Sequence, residues 1–103
     1  MNRVIKLSPS AILDLVKIYN YYYEDLVNPT AARKILDRII TDYTALKENP
    51  NLGFSLKKKL LINCDYRALA CKRYLIFYRY INNQILISRI LDSKRDYLKI
   101  LFK

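Results

Sequence analysis

The chain has no histidine, a single glycine and only two cysteines, Cys64 and Cys71. Without histidine it lacks both the commonest general base at neutral pH and the commonest metal ligand, so any catalysis must use other groups. Two cysteines are too few for a disulfide framework and, with no histidine beside them, do not complete a four-ligand zinc site. Both are expected to be reduced and buried. Glycine-rich phosphate loops, paired catalytic carboxylates, nucleophile elbows and metal-ligand spacings are also missing, which excludes most enzyme classes and implies neither metal nor cofactor. No apolar run approaches the roughly 18 to 20 residues that span a bilayer. The opening MNRVIKLSPS has no signal-peptide core, so a cytoplasmic protein without a membrane partner is expected.

What is present is a hydrophobic fraction of 52% over 103 residues, sufficient for one core without staples and consistent with one domain over residues 1–103. The formal charge is +10, and it is unevenly distributed. Residues 1–53 carry seven Lys/Arg against six Asp/Glu, whereas residues 54–103 carry twelve against three. Such one-sided charge speeds encounter with anions, so a polyanion or an acidic protein is the expected partner.

Arg3 to Leu7 alternates as a short first strand. Ser8-Pro9 then opens a helix, because the serine caps free N–H groups and proline at the first helical position forfeits no hydrogen bond. That helix is expected to run to about Asp25 with Ile12, Val16, Tyr19, Tyr23 and Leu26 facing the core, Leu15 and Tyr22 widening the stripe, and Asp14 and Lys17 outside it. Asn28-Pro29 repeats the signal for a second helix with Ala32, Ile35, Leu36, Ile39, Tyr43 and Leu46 on one side. Asn49-Pro50 and Gly53 stop it. The short connection makes the two helices an antiparallel hairpin.

After Gly53 the period changes. Tyr66 to Lys72, Tyr74 to Ile81 and Gln84 to Leu91 read as strands, with Asn82-Asn83 as a two-residue turn. That turn pairs Tyr80 with Ile85, Tyr78 with Ile87, Ile76 with Arg89 and Tyr74 with Leu91 on one face. The other face carries Leu75, Phe77, Arg79, Leu86, Ser88 and Ile90, so both faces are apolar and one needs a cover from outside the sheet. Lys94 to Lys103 forms a short terminal helix or a tail ordered on binding. The expected class is α+β: an N-terminal strand, a two-helix antiparallel hairpin, a three-stranded antiparallel meander forming one sheet, and a short C-terminal helix.

The chemistry-bearing groups are the cations and tyrosines of this second half: Lys57, Lys58, Lys59, Arg67, Lys72, Arg73, Arg79, Arg89, Lys94, Arg95 and Tyr97. Arginine grips phosphate through paired N–H donors, and tyrosine stacks on a base or exchanges a proton. For such a set to act together, the cations after Gly53 must converge on one surface.

Four stretches, IKLSPSAILDL, NPTAARKILDRI, LKENPNLG and YLIFYRYINNQILISRILDSKRDYLKILF, resemble in order the RelE/ParE superfamily of bacterial type II toxins over nearly the whole chain. The resemblance implies a growth-arresting toxin neutralised by a cognate antitoxin, which would lie over Leu75, Phe77, Leu86 and Ile90. It leaves two targets, of which the messenger RNA on the ribosome is the leading expectation. In a ribosome-dependent messenger-RNA endonuclease, Arg73 and Arg95 would bind phosphate and Tyr97 or Lys94 would move a proton. Lys57, Lys58, Lys59, Arg67, Lys72, Arg79 and Arg89 would then hold RNA on the ribosome. Leu75 stands where such nucleases usually carry an arginine. In the alternative, a ParE-like toxin holds DNA gyrase without nuclease chemistry. A basic nucleic-acid-binding domain without toxicity is the third reading.

Overall fold

The structure, a computed structural model, describes residues 3–102. Strand β1 (Val4–Leu7) leads to helix α1 (Pro9–Asn20), whose cap is Ser8. The Ser8 hydroxyl accepts from the Ala11 N–H at 3.0 Å and donates to the Ser88 carbonyl at 2.7 Å, so the cap also fixes the start of the helix against the sheet. Beyond Asn20 the coil widens into a π turn, Tyr21–Asp25. Asn28 caps helix α2 (Pro29–Thr44), accepting from the Ala31 N–H at 3.1 Å, and a 3-10 turn (Ala45–Lys47) closes it.

Two short elements follow that the sequence pattern did not reveal: strand β2 (Phe54–Ser55) and helix α3 (Leu56–Leu60). Strands β3 (Arg67–Cys71), β4 (Tyr74–Ile81) and β5 (Gln84–Asp92) fall within a residue of their expected bounds. Helix α4 (Tyr97–Leu101) occupies the terminal segment, whose last residue, Lys103, lies outside the described residues. The sheet has five strands in the order β1-β5-β4-β3-β2. All neighbours are antiparallel except β1 and β5, which run parallel.

Asn82 and Asn83 both adopt positive φ, 51° and 61°, as the two-residue turn requires. The turn sets the expected register as far as Tyr78↔Ile87. A bulge at Phe77/Tyr78 then shifts the pairing, so that Phe77 opposes Arg89, Ile76 opposes Ile90, and Tyr74 opposes Asp92. The expected pairs Ile76–Arg89 and Tyr74–Leu91 do not form, because one extra residue in β5 displaces every later partner by one.

The bulge sorts the side chains into two cores. Tyr74, Ile76, Tyr78, Ile85, Ile87 and Ile90 pack against the helical hairpin. Phe77 and Leu91, with Ala68 of β3, pack on the other side against Leu56 of α3 and Tyr97, Ile100 and Leu101 of α4. The expectation of an external cover over Leu75, Phe77, Leu86 and Ile90 is therefore corrected for Phe77 and Ile90, whereas Leu75 and Leu86 are only half-buried. Phe77 is fully buried beneath the chain's own short helices, Ile90 belongs to the helix-side core, and Leu75 packs with the second cluster.

Helix α2 buries Ala32, Ile35 and Ile39, as its spacing predicts. Helix α1 and the turn after it follow only part of the expected stripe, since Leu15 and Tyr22 pack against the helix-side core. Ala11, Asp14 and Ile18 face inward, while Ile12, Val16, Tyr23 and Leu26 are exposed. The inward face is chosen by small size at Ala11, where the helix meets the sheet, and by a charge partner for Asp14, neither of which hydrophobic spacing registers. The only glycine, Gly53, sits where a Cβ would lie 2.6 Å from the Ala68 carbonyl and 2.9 Å from the Tyr78 ring. Its N–H donates to the Tyr78 hydroxyl at 3.0 Å, and that hydroxyl donates to the Pro50 carbonyl at 2.7 Å.

Candidate functional site

The strongest concentration of chemistry lies at one end of the sheet, where the β3–β4 turn, the loop after β5 and the later turns of α1 meet. The turn places Lys72 at φ 56° and aims Arg73 along the end of β5. Arg73 Nε donates to Asp92 Oδ2 at 2.7 Å, and the Ser93 N–H donates to the Arg73 carbonyl at 2.8 Å. Asp92 Oδ1 also accepts the Lys94 N–H at 2.9 Å, which folds the loop back so that Arg95 joins the same cleft. Helix α1 contributes Asp14, Lys17 and Ile18, the π turn adds Tyr21, and the floor is Ile90 and Leu91; the cleft measures about 310 Å³. The Arg73 guanidinium lies 6.0 Å from the Tyr21 ring and 5.8 Å from the Tyr74 ring, within reach of cation–π attraction.

Beneath the cleft a buried ion pair fixes α1 to β5. Asp14, 5% exposed, accepts from Arg89 Nε at 2.8 Å and Nη2 at 2.9 Å, and takes the Ile90 N–H at 2.9 Å as well. Strand β1 pairs with β5 only as far as Ile87, so the carboxylate stands in for a strand neighbour beyond it. The Asp14 carboxylate raises the proton affinity of Arg89. The Lys94 N–H, followed by Arg73, holds the Asp92 carboxyl below its usual range, and Asp92 in turn raises Arg73. Burial pushes the Tyr74 hydroxyl upward, with help from a hydrogen bond to Tyr22, so Tyr74 is a poor proton carrier near neutrality.

The expected site residues do not all converge. Arg73 and Arg95 share the cleft. Lys94 is exposed on the loop, and Tyr97 starts α4 with its ring 5.0 Å from the Phe77 ring, within the second core. Arg67 turns inward, donating to the carbonyls of Asn51 and Gly53. Arg79 forms a two-point pair with Asp65 at 2.7 and 2.9 Å, and Arg89 is held by Asp14. Lys57, Lys58 and Lys59 ride on α3, whose Leu56 packs on the sheet face opposite the hairpin. Arg89 and Arg95 also line a cleft of about 610 Å³ with Lys99, Ile100 and Phe102, so the expectation that the cations after Gly53 form one surface is corrected only in part. Carboxylates and carbonyls hold several of them in place, and the rest separate to the end of the sheet and to α3. Sequence reading missed Asp14, Lys17 and Tyr21. A lone carboxylate between Ala11 and Ile18, with a lone arginine in an apolar strand, was the available signal for the first.

Residues 5–97 match the family described as ParE toxin of type II toxin-antitoxin system, parDE. The chain belongs to this ParE toxin family. The match covers most of the toxin, from β1 to the first residue of α4. Among solved structures, the toxin resembles a chain of the chromosomal ParDE toxin-antitoxin system from P. aeruginosa, with a TM-score of 0.74 and 23% identity over 89% of this chain and 97% of that one. It also resembles a chain of the toxin-antitoxin complex RelBE2 from Mycobacterium tuberculosis, with a TM-score of 0.59 and 17% identity over 90% and 100%. At these identities the two structures establish the RelE/ParE fold. No curated protein matches the toxin significantly.

Proposed function

We propose that this toxin arrests growth by holding its target rather than by cutting RNA, and that the target is DNA gyrase. The observation that carries the reading is the separation of the two arginines from both candidate proton carriers of a nuclease mechanism. Arg73 and Arg95 face the cleft, but Tyr97 is packed on Phe77 and Lys94 lies outside the cleft wall. Tyr74 in the cleft wall holds its proton far above neutrality. Phosphodiester cleavage needs a proton acceptor and donor beside the bound phosphate. Membership of the ParE family points in the same direction.

The partner that restrains the toxin is a cognate antitoxin. Ile12, Leu13 and Val16 leave an apolar strip on α1, beside a cleft lined by Leu15, Val16, Tyr19, Arg33 and Leu36. An amphipathic antitoxin helix fits this surface better than the buried sheet face. The test is induced expression in growing cells, with transcript integrity and plasmid DNA followed in parallel. Accumulating cleaved DNA beside intact transcripts is expected. Rapid cleavage of translated messages, abolished by Arg95→Ala, would instead establish the endonuclease.

A further inference from the structure

Arg73 is shared by two clefts. The second measures about 340 Å³ and lies on the α2 side of the β3–β4 turn, lined by Tyr22, Ala31, Lys34, Ile35, Arg38, Lys72 and Arg73. Four of these are cations and none is a carboxylate. Arg38 pairs with Asp42 at 3.1 Å, one turn further along α2, whereas Lys34 and Lys72 form no ion pair among the described residues. The floor is apolar and aromatic.

The π turn at the end of α1 gives each cleft a ring, although the first cleft also carries Asp14 and Asp92, each paired with an arginine, and the second carries no carboxylate. The turn sends successive tyrosines to opposite sides of Arg73: Tyr21 into the first cleft and Tyr22 into the second, with their rings edge to face at 5.4 Å. Each cleft therefore combines a cationic rim with a floor bearing a ring, and the two are separated by one guanidinium. Phosphates want the rim and unpaired bases want the floor, which is the arrangement of proteins that bind single-stranded nucleic acid. Arg73 retains N–H donors beyond those given to Asp92, since a guanidinium has five. An acidic peptide would satisfy the cations but would bring no flat rings for the floors.

We propose that this end of the molecule is a track for a single-stranded polynucleotide, running from Arg95 and Lys17 across Arg73 to Lys72 and Lys34, with Tyr21 as the exposed stacking ring. The track deepens the gyrase reading and rests on it: the toxin would touch an unpaired strand of the DNA that the enzyme holds open. Its position differs from that of Lys57 to Lys59, which lie on the face beyond the sheet.

The experiment is fluorescence anisotropy of a labelled single-stranded 12-mer with the purified toxin over a range of salt, with circular dichroism as a check on folding. Lys34→Ala combined with Lys72→Ala should weaken binding about tenfold and reduce the slope of log affinity against log salt by roughly 1.4, at about 0.7 for each phosphate no longer neutralised. Tyr21→Ala should weaken binding about tenfold with the slope unchanged. Lys6→Ala with Lys47→Ala, toward the opposite end of the sheet, should leave both unaltered. Equal loss in that control, equal loss on replacing Lys57, Lys58 and Lys59 by alanine, or displacement of the 12-mer by polyglutamate at matching charge would overturn the track. The two readings can fail separately. A toxin that traps cleaved gyrase DNA but does not bind the 12-mer removes the track alone. One that binds the 12-mer through Lys34 and Lys72 but leaves gyrase untouched keeps the track and removes the gyrase reading.

Discussion

Asp14 shows how one residue can decide the geometry of a surface. Its carboxylate takes two N–H groups of Arg89 and the Ile90 N–H, so removing it leaves a cation and an amide without partners in a largely enclosed place. Breaking one side of a buried pair costs about 3 to 5 kcal/mol, and Asp14→Ala should lose about that much in urea unfolding. Arg89→Met with Asp14→Leu should lose much less, because no unpaired charge remains. Tyr78 and Gly53 form a second such place. Tyr78→Phe strands the Gly53 N–H and the Pro50 carbonyl and should cost about 1 to 3 kcal/mol. Gly53→Ala should cost a similar amount by crowding the Ala68 carbonyl and the Tyr78 ring, at about 1 to 3 kcal/mol.

Among the elements, α4 matters most relative to its size. Its five residues seal the sheet face that strand patterning alone leaves open, through Tyr97 on Phe77 and through Ile100 and Leu101. Tyr97→Ala should therefore reduce stability, by about 2 kcal/mol given the half-buried ring, and raise the fluorescence of a dye that binds exposed apolar surface. A catalytic role alone would leave both readouts unchanged. The elements also differ in how well they could be read. Helix α2 and strands β3 to β5 carry their periods openly. The inward face of α1 was concealed because Ala11 and Asp14 look less apolar than the exposed Ile12 and Val16. Strand β2 and helix α3 are too short for any period to register.

For the whole molecule, buried acids with raised proton affinity set an alkaline limit. Burial, followed by a hydrogen bond with Asp42, pushes the Cys71 thiol up to about 12, and burial also raises Tyr74 and Tyr43. Such groups stabilise the fold fully below their unfolded-state pKa and progressively less as pH rises towards the folded value. Stability should begin to fall above about pH 8.5, where an unfolded thiol ionises, and fall faster above about pH 10, where the tyrosines join. Cys71→Ala should remove the first phase in pH-dependent urea unfolding. At the acid end, Asp92 and Asp65 have lowered pKa values beside Arg73 and Arg79. Their contribution is complete above about pH 4 and declines as pH drops through the folded-state values. Thiol labelling should modify the half-buried Cys64 first and Cys71 only on unfolding.

The order of the longer helices and strands, the Asn82-Asn83 turn and the excess of positive charge were determined by the sequence alone, because caps, periods and charge counts act over a few residues. Tertiary structure decided which of those charges are available. Arg67, Arg79 and Arg89 are committed to carbonyls or carboxylates many residues away, and the one-residue bulge in β5 sets which face each later side chain occupies. It also brought Lys17, Tyr21, Lys34 and Lys72 to the two sides of Arg73, residues from three separate elements and a turn whose meeting no local pattern encodes. Long-range pairing is settled only when the chain closes on itself, and in this toxin the end of the sheet around Arg73 is made of such pairings.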